Sequence, residues 1–474
     1  CQTPALRLVY YNYQQCKDNP GEIMYKIQGY FTNKHILFNL NKTLVDPNNF
    51  LELSCSFTHK ITSIKTSVVN KSPPKPFSTS LLQQTMSNKA NMSPKETMSI
   101  CQKLYEGGLI TYMRTDSQTY SKEFIDNARD YIEKTWEANL VGDNIDTLIQ
   151  ETSNAHEAIR PTNIINKNPD LTGRNKLVYS MIWNNTLSSL MRDARFSAIT
   201  IKISAPLKLW YSFTEEKPIY LGWMTNIYKE SENLYNYIES LKQGPISYKK
   251  IIANIIIEKT SQYYTEAKLV NLLEKKGIGR PSTFSGIIEK LKLREYVVKQ
   301  NVTGKTIDGI EYELEKNEII ETEISKEVGS QKNKLIIQPL GIMVLEFLIK
   351  HFSELFKYDY TRDMELDLDK ISNGDTIWHS ICKKCDELIK SESNKIKIDK
   401  VSYKIDEDHE FIIGKYGPVI RYQKDGTILF KKVIKNIDYD KLKQGKYNLD
   451  QLLDKISDNT IGMYKDFPIN LKKG

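Results

Sequence analysis

Gly108-Leu109-Ile110-Thr111-Tyr112-Met113-Arg114-Thr115-Asp116-Ser117 sets a tyrosine, an arginine and an aspartate at every second position. In an extended chain successive side chains alternate, so Tyr112, Arg114 and Asp116 share one face. A phenol oxygen beside a guanidinium is a suitable pair for attacking a phosphodiester: the oxygen is the nucleophile, and the guanidinium holds the phosphoryl oxygens in a bidentate fork. Strand breakage in DNA or RNA is the first hypothesis. The same row also serves as a solvated strand face with an ion pair, so its surroundings must decide.

Those surroundings are specific. Ser93-Pro94-Lys95-Glu96 has the capping-box pattern, and Met98, Cys101, Leu104 and Tyr105 then recur at helical spacing until Gly107-Gly108 stops the helix. Ser121 caps a second amphipathic helix with Phe124, Ile125, Ala128, Tyr131, Ile132 and Trp136 on its apolar side. Tyr112 is therefore expected on a short extended piece between two helices. Further on, His156 and Arg160 are four apart, which on a helical turn places them on one face before Pro161 ends it. That face could aim an imidazole and a guanidinium at one phosphate; equally, Glu157 could pair with Arg160.

The rest of the chain alternates in character. Residues 2–15 have a helical pattern, and residues 22–71 alternate like paired strands, including Leu51, Leu53 and Phe57. Lys71-Ser72-Pro73-Pro74-Lys75-Pro76 reads as a stiff linker, residues 78–195 as mainly helical, and Ile199, Ile201 and Ile203 resume strand character. A helical insert is thus placed between two halves of a β-rich unit, with hinges expected at the two crossings. Thr265 caps a new helix with Leu269, Val270, Leu272 and Leu273 inward and Gly277 as its stop. Arg280-Pro281-Ser282-Thr283 opens the next, and the pair reads as helix-turn-helix. Free N–H groups, hydroxyls and an arginine there suit a phosphate, although Arg280 could instead cap a neighbouring carbonyl.

Composition limits the choices. The 474 residues are enough for several packed units, and 67 basic against 59 acidic residues leave +8, a modest excess suited to a polyanion. The longest apolar stretch, Leu340 to Ile349, is too short for a membrane span and is expected as a core helix. Of the six cysteines only Cys382 and Cys385, with His379 nearby, have metal-ligand spacing, and a second pair is missing. Scattered thiols favour a reducing compartment. Asp367-Leu368-Asp369 imitates a metal pair but falls in a helical pattern with Met364, Leu368 and Ile371, so it is read as a solvated helix face and no metal site is assigned to the chain.

The Gly108–Ser117 decapeptide resembles the active-site motif of type IA DNA topoisomerases. Ala155-His156-Glu157-Ala158-Ile159-Arg160-Pro161-Thr162 matches a second signature of that family, and further similar stretches follow the family's order. They are Gln2-Thr3-Pro4-Ala5-Leu6, Pro73-Pro74-Lys75-Pro76-Phe77, Tyr264 to Val270, Gly277-Ile278-Gly279-Arg280-Pro281-Ser282-Thr283 and Asp359-Tyr360-Thr361 with Met364-Glu365. The helix Val178 to Asn185 is similar too, except that Asn185 stands where the family usually has an arginine. The likeness runs from residue 2 to about residue 385. Phe411 to Tyr422, with Tyr447 to Leu453, is similar to the small β-rich repeats at the C-terminus of many such enzymes; its tyrosines and Arg421 could stack on single-stranded bases or form a small core.

The resemblance implies an α+β, multi-domain, toroidal type IA core, made of helical winged-helix-like domains, a β-rich arch and a small C-terminal β-rich repeat. The expected parts are residues 1–20 (helical DNA-binding domain), 21–77 (arch, first half), 78–196 (helical domain carrying the tyrosine), 197–260 (arch, second half), 261–394 (helical DNA-binding domain, second part) and 395–474 (repeat-like domain). It implies Tyr112 and Arg114 as catalytic residues, and DNA contacts from Gln2, Asp116, His156, Arg160, Arg280, Ser282 and Thr283. The implied reaction is single-strand cleavage through a 5'-phosphotyrosine, strand passage and religation, relaxing negatively supercoiled DNA without ATP. A phenol in water ionises near pH 10, so its proton must be taken or shared. In the family, Mg2+ and the residue that protonates the leaving 3'-hydroxyl belong to an N-terminal Toprim domain. Since this chain opens on Cys1-Gln2, it is expected to be a fragment or one piece of a split enzyme, inactive alone and completed by a Toprim domain in cis or trans. The expected partner is DNA, single-stranded or negatively supercoiled, with no membrane, for a monomer in the intracellular compartment that holds the genome. The rival readings are a noncatalytic single-stranded DNA-binding module and a tyrosine recombinase or type IB enzyme, whose covalent link has the opposite polarity.

Overall fold

The computed structural model describes all residues except 144, 151–155, 231–232, 396–401, 415–416, 425, 435–436, 439–440, 443, 455–459, 465–466 and 471–474. Ala155 of the second signature, and Lys415 and Tyr416 of the repeat-like segment, lie outside the described residues. The chain divides into two compact units, residues 1–337 with 357–369, and residues 338–356 with 370–474.

In the first unit, helix α1 (Gln2–Asp18) leads into strands β1 (Glu22–Tyr30) and β2 (Leu37–Leu40), helix α2 (Asn48–Ser56) and strand β3 (Lys60–Lys71). The segment around Leu51 and Leu53, expected as a strand, is instead α2. Phe50, Leu51 and Ser54 are its buried side, at the one- and four-residue separations of a helix, and they pack beneath the sheet. After the helical insert come β4 (Ala194–Ser204), β5 (Trp210–Tyr220), the short helix α7 (Tyr235–Ser240), β6 (Gly244–Pro245) and β7 (Lys250–Glu258).

The insert contains α3 (Thr79–Ala90), α4 (Pro94–Glu106), α5 (Lys122–Thr135) and α6 (Gly173–Ser189). Its core gathers Phe77, Tyr120, Tyr179 and Trp183, all essentially sealed from solvent. Two buried aromatic tips in that core find partners: the Trp183 indole donates to the Ile164 carbonyl at 2.8 Å, and Tyr120 shares a 3.0 Å hydrogen bond with Ser189. Burial pushes the Tyr120 phenol up to about 12.

Helix α8 (Glu266–Lys275), capped by Thr265 as its position predicts, and helix α9 (Phe284–Leu293) follow, with Leu269, Val270 and Leu273 buried in the first and Ile287, Ile288 and Leu291 in the second. Residues 297–337, included above in a helical part, form strands β8 (Val297–Val302), β9 (Lys305–Glu315), β10 (Glu318–Val328) and β11 (Gln331–Ile337). β8 pairs with β11 as a ribbon beside the helix pair, while the β9–β10 hairpin reaches over to β7. The result is one antiparallel sheet in the order β10-β9-β7-β1-β2-β5-β4-β3-β6.

In the second unit, Leu340 to Ile349 falls within α10 (Pro339–Phe352), but only Gly341 and Leu345 are buried, so a single stripe packs and the run is not a core helix. Helix α11 (Tyr358–Ser372), mostly in the first unit, is followed by α12 (Trp378–Lys395), which carries the unpaired thiols Cys382 and Cys385. The tail forms a sheet of β12 (Ser402–Lys404), β13 (His409–Gly414), β14 (Gly417–Lys424) and β15 (Thr427–Lys432) over a core of Phe411, Ile420, Val433, Ile437, Leu442 and Leu452. Arg421 is paired with Glu410 at 2.5 Å, and Tyr422 stacks on His409. No helix among the described residues is long and apolar enough to cross a membrane. The architecture is α+β and multi-domain.

Candidate active site

The frame of the Tyr112 segment comes from α4. The Ser93 side chain accepts a hydrogen bond from the Glu96 N–H at 3.1 Å, Pro94 supplies a preset first turn, and Gly107 closes the helix. Gly108, at φ +69°, then turns the chain back, a conformation that glycine adopts without a Cβ clash. Residues 109–111 run beside 160–162: Thr111 N–H donates to the Arg160 carbonyl at 2.9 Å, and Thr162 N–H to the Leu109 carbonyl at 3.0 Å.

The alternation expected from the sequence is present. Met113 is fully buried and Thr115 nearly so, while Arg114 and Asp116 are exposed and Tyr112 is half-buried. Thr79, itself fully buried at the start of α3, anchors the inward side: its hydroxyl lies 2.7 Å from the Met113 carbonyl and accepts the Thr115 N–H at 2.9 Å. Tyr112 therefore stands on a backbone pinned from behind.

Around Tyr112, Arg114 Nη1 approaches the phenol oxygen at 3.5 Å, a long contact that leaves the guanidinium free to turn toward a second oxygen. The His156 ring lies 5.1 Å from the Tyr112 ring, and the Tyr105 ring meets it edge-on at 5.3 Å. The arrangement presents one phenol, one guanidinium and one imidazole together at the surface. Tyr105, read from sequence as part of an apolar helix face, is 41% exposed and flanks the phenol instead. Sequence spacing gave no sign of this, because the contact depends on the Gly107-Gly108 reversal.

His156 to Pro161 is not helical. Ile159 bridges to Phe77 and Pro161 to Ile110, so pairing with distant segments overrides the local i,i+4 pattern. Arg160 consequently does not share a face with His156 in the expected way. It is 8% exposed; its Nε and Nη2 clamp Glu157 at 2.9 and 2.6 Å, its Nη1 donates to the Pro161 carbonyl, and its guanidinium covers the Phe124 ring. Glu157 also accepts the Ser121 N–H at 2.8 Å. Burial by itself would raise the Glu157 carboxyl, but the bonds from Arg160 and Ser121 outweigh it and hold the group below the usual glutamate range. The expected phosphate contact of Arg160 thus meets a guanidinium already engaged in holding this segment. Asn185, where an arginine was anticipated, donates to the Lys75 carbonyl at 3.0 Å and fixes the linker.

The second set of expected residues gathers at the turn between α8 and α9. Arg280 donates to Asp369 at 2.6 Å, lies 4.0 Å from Glu365 and caps the Gly279 carbonyl at 3.2 Å. Asp369, of the Asp367-Leu368-Asp369 stretch, is thereby an arginine partner. Thr283 closes the turn by accepting the Arg280 N–H at 2.8 Å, and both Ser282 and Thr283 are exposed. α9 begins at Phe284, so Arg280 to Thr283 form the turn that precedes it. Gln2 lies in the first turn of α1, where its Oε1 is buried without a hydrogen-bond partner.

Known proteins resemble this chain in sequence and in fold. A family profile described as DNA topoisomerase matches residues 1–310. The DNA topoisomerase 1 type prokaryotic of Acanthamoeba polyphaga mimivirus is 31% identical over 464 residues, covering 90% of this chain and 54% of the relative. DNA topoisomerase 1 of Buchnera aphidicola subsp. Schizaphis graminum is 33% identical over 357 residues, covering 74% and 37%. The chain spans about half, or less, of the length of these curated relatives. Full-length topoisomerase I from Thermotoga maritima has the same fold, with a TM-score of 0.68 at 24% identity over 93% of this chain and 70% of that one. With its first 310 residues matched from end to end by the family profile, this chain belongs to the DNA topoisomerase family, in its bacterial type IA branch.

Proposed function

We propose that this chain is the strand-cleaving part of a type IA DNA topoisomerase, and that the half-buried Tyr112 phenol beside Arg114 carries the reaction. Tyr112 Oη attacks a backbone phosphorus, forming the Oη–P bond as the P–O3' bond breaks. The phenol proton is lost and the departing O3' gains one, giving a 5'-phosphotyrosine and a free 3'-hydroxyl. Arg114 stabilises charge on the non-bridging oxygens, and its planar fork suits that task better than a point charge. The reverse attack by O3' reseals the strand, so bond energy is conserved and no ATP is needed. Passage of another strand through the break relaxes negative supercoils.

His156, beside the phenol, and Asp116, on the same exposed row, are assigned to the bound strand near the scissile phosphate. Gln2, Arg280, Ser282 and Thr283 are assigned to the backbone further along, Arg280 by exchanging its carboxylate partners for a phosphate. Arg160 acts by holding the His156–Glu157 segment. Among the described residues no three or more His, Cys, Asp and Glu side chains converge, and no step is routed through a metal here. We assign the Mg2+ ligands, and the protonation of O3', to a Toprim domain in cis or trans, and the working protein to a monomer in the compartment that holds the genome.

The test is a single-stranded oligonucleotide labelled at either end, incubated with the chain, a Toprim polypeptide and Mg2+, then denatured. The expected adduct carries the label of the 3' portion of the strand, disappears in Tyr112→Phe and does not form with the chain alone. Label retained from the 5' portion, or an adduct with Tyr112→Phe, would overturn the assignment. Strand binding without any adduct would favour a noncatalytic module.

A further inference from the structure

Tyr105 stands in the last turn of α4, across the Gly107-Gly108 reversal from Tyr112. Its carbonyl accepts the Gly108 N–H at 2.9 Å and the Leu104 carbonyl accepts the Leu109 N–H at 2.9 Å, so the helix end is tied to the chain that leaves it. On the far side of the reversal Thr111 is held as firmly. Its hydroxyl donates to the Ala158 carbonyl at 2.8 Å and accepts the Arg160 N–H at 3.1 Å. With both ends of the reversal anchored, the backbone itself brings the two tyrosine rings together.

The rings meet edge-on, with centroids 5.3 Å apart and planes inclined at 66°. The His156 ring lies 5.1 Å from the same Tyr112 ring, inclined at 45°. Set against these two ring contacts, the phenol oxygen has one hydrogen-bond contact among the described residues, Arg114 Nη1 at 3.5 Å, which is at the outer limit for such a bond. The orientation of the Tyr112 side chain is therefore set by rings and not by its hydroxyl. That suits a nucleophile, because an oxygen held by a strong hydrogen bond would have to surrender it before attacking. Tyr105 is 41% exposed, and α4 packs through Met98, Ile100, Cys101 and Leu104 without it. It carries no charge for a phosphate, so its ring serves neither the helix core nor the anion.

We propose that Tyr105 is a positioning residue for strand cleavage: its ring confines the Tyr112 side chain to the orientation in which Oη, beside Arg114, faces an incoming phosphate. The proposal rests on the strand-cleaving reading above and deepens it. Attack requires the phenol oxygen about 3–3.5 Å from phosphorus and aligned with the departing bond, and a side chain with two free torsions is elsewhere most of the time. An edge-on aromatic contact favours one orientation by roughly three- to tenfold. Because the contact is ring to ring, it does not need the Tyr105 hydroxyl. It acts on the nucleophile and not on the strand, so it bears on the rate of cleavage and leaves affinity alone.

The test uses the full 474-residue chain with a Toprim polypeptide, Mg2+ and an end-labelled single-stranded oligonucleotide, and reads the rate of Tyr112 adduct formation against strand concentration. Tyr105→Ala should lower the rate at saturating strand roughly three- to tenfold and leave the half-saturating concentration unchanged. Tyr105→Phe, which keeps the ring, should react within about twofold of the unaltered chain. A parental rate in Tyr105→Ala, or an equal loss in Tyr105→Phe, would overturn the assignment. So would a raised half-saturating concentration with an unchanged saturating rate, since the ring would then be touching the strand instead of the tyrosine. If the unaltered chain forms no adduct under these conditions, the strand-cleaving reading falls and this proposal falls with it.

Discussion

Among the described residues the hydrogen-bond contact of the Arg114 side chain is the phenol it approaches, and in the proposed reaction its value lies in what it does to that oxygen and to an arriving phosphate. Arg114→Ala is expected to lower adduct formation on a labelled strand about a hundredfold, the usual cost of one preorganised donor at a developing charge. Arg114→Lys should restore only part of it, because an ammonium lacks the fork. Full activity in Arg114→Ala would remove the guanidinium from the mechanism. Behind this pair stands Glu157, whose carboxyl is held low by Arg160. A depressed folded value means that this stabilisation is fully present above the ordinary glutamate range near 4.5 and fades as pH falls through the folded value. Glu157→Gln should therefore cost roughly 2–3 kcal/mol at neutral pH and flatten the fall in Tm between about pH 5 and pH 3. Equal acid sensitivity in the variant and the parent would show that other groups control that limb.

The elements that frame Tyr112 were legible because their signals are local. Ser93-Pro94 and Thr265 each announce a helix start through a side chain that caps its own backbone, and Gly107-Gly108 announces a stop. Removing one such signal should have a modest, measurable effect: Ser93→Ala is expected to destabilise the chain by about 1 kcal/mol, read as a lower midpoint in denaturant with an unchanged slope. An unchanged midpoint would mean that the packing of Met98, Cys101 and Leu104 alone sets the helix. What could not be read depended on distant partners. His156 to Arg160 has helical spacing but becomes extended because Phe77 and Ile110 bridge to it. The β9–β10 hairpin was overlooked since its Glu and Lys residues mask the alternation of Ile310, Tyr312 and Leu314, which becomes meaningful only beside β7. In α2 the opposite occurred: Leu51 and Leu53 suggested period two, yet Phe50, Leu51 and Ser54 decide which side is buried. Of the site, the outward row was legible, whereas the flanking Tyr105 and the anchoring Thr79 belong to contacts that only the folded chain creates.

At the scale of the first unit, the tyrosine-bearing insert joins the long sheet through two crossings, after Lys71 and before Ala194. Trp223 braces the first by donating to the Lys71 carbonyl at 2.8 Å. On its other side the insert touches the helix-turn-helix region through few polar contacts: Ser80 to Glu274 at 2.6 Å, Lys95 to Glu289 at 3.2 Å and Asn333 to Asn91 at 3.2 Å. In the proposed reaction, passage of a strand through a break at Tyr112 requires some part of this boundary to separate, although α3 packs along α8 and Ser80 itself is buried. Ser80 is the telling member, since it follows Thr79, which anchors the Tyr112 segment, and contacts the helix that leads to Arg280. Opening there would move the Tyr112 segment and the Arg280 turn apart while the two crossings keep the insert attached. Ser80→Ala removes about 1 kcal/mol of this clasp and should make the open form about fivefold more populated. Hydrogen exchange at the amides of Leu82 to Thr85 should accelerate by the same factor, with no change at Ile199 or Ile201 in the sheet. Uniform acceleration across both regions would mean that the substitution loosens the whole unit, and unchanged exchange would show that the boundary opens elsewhere.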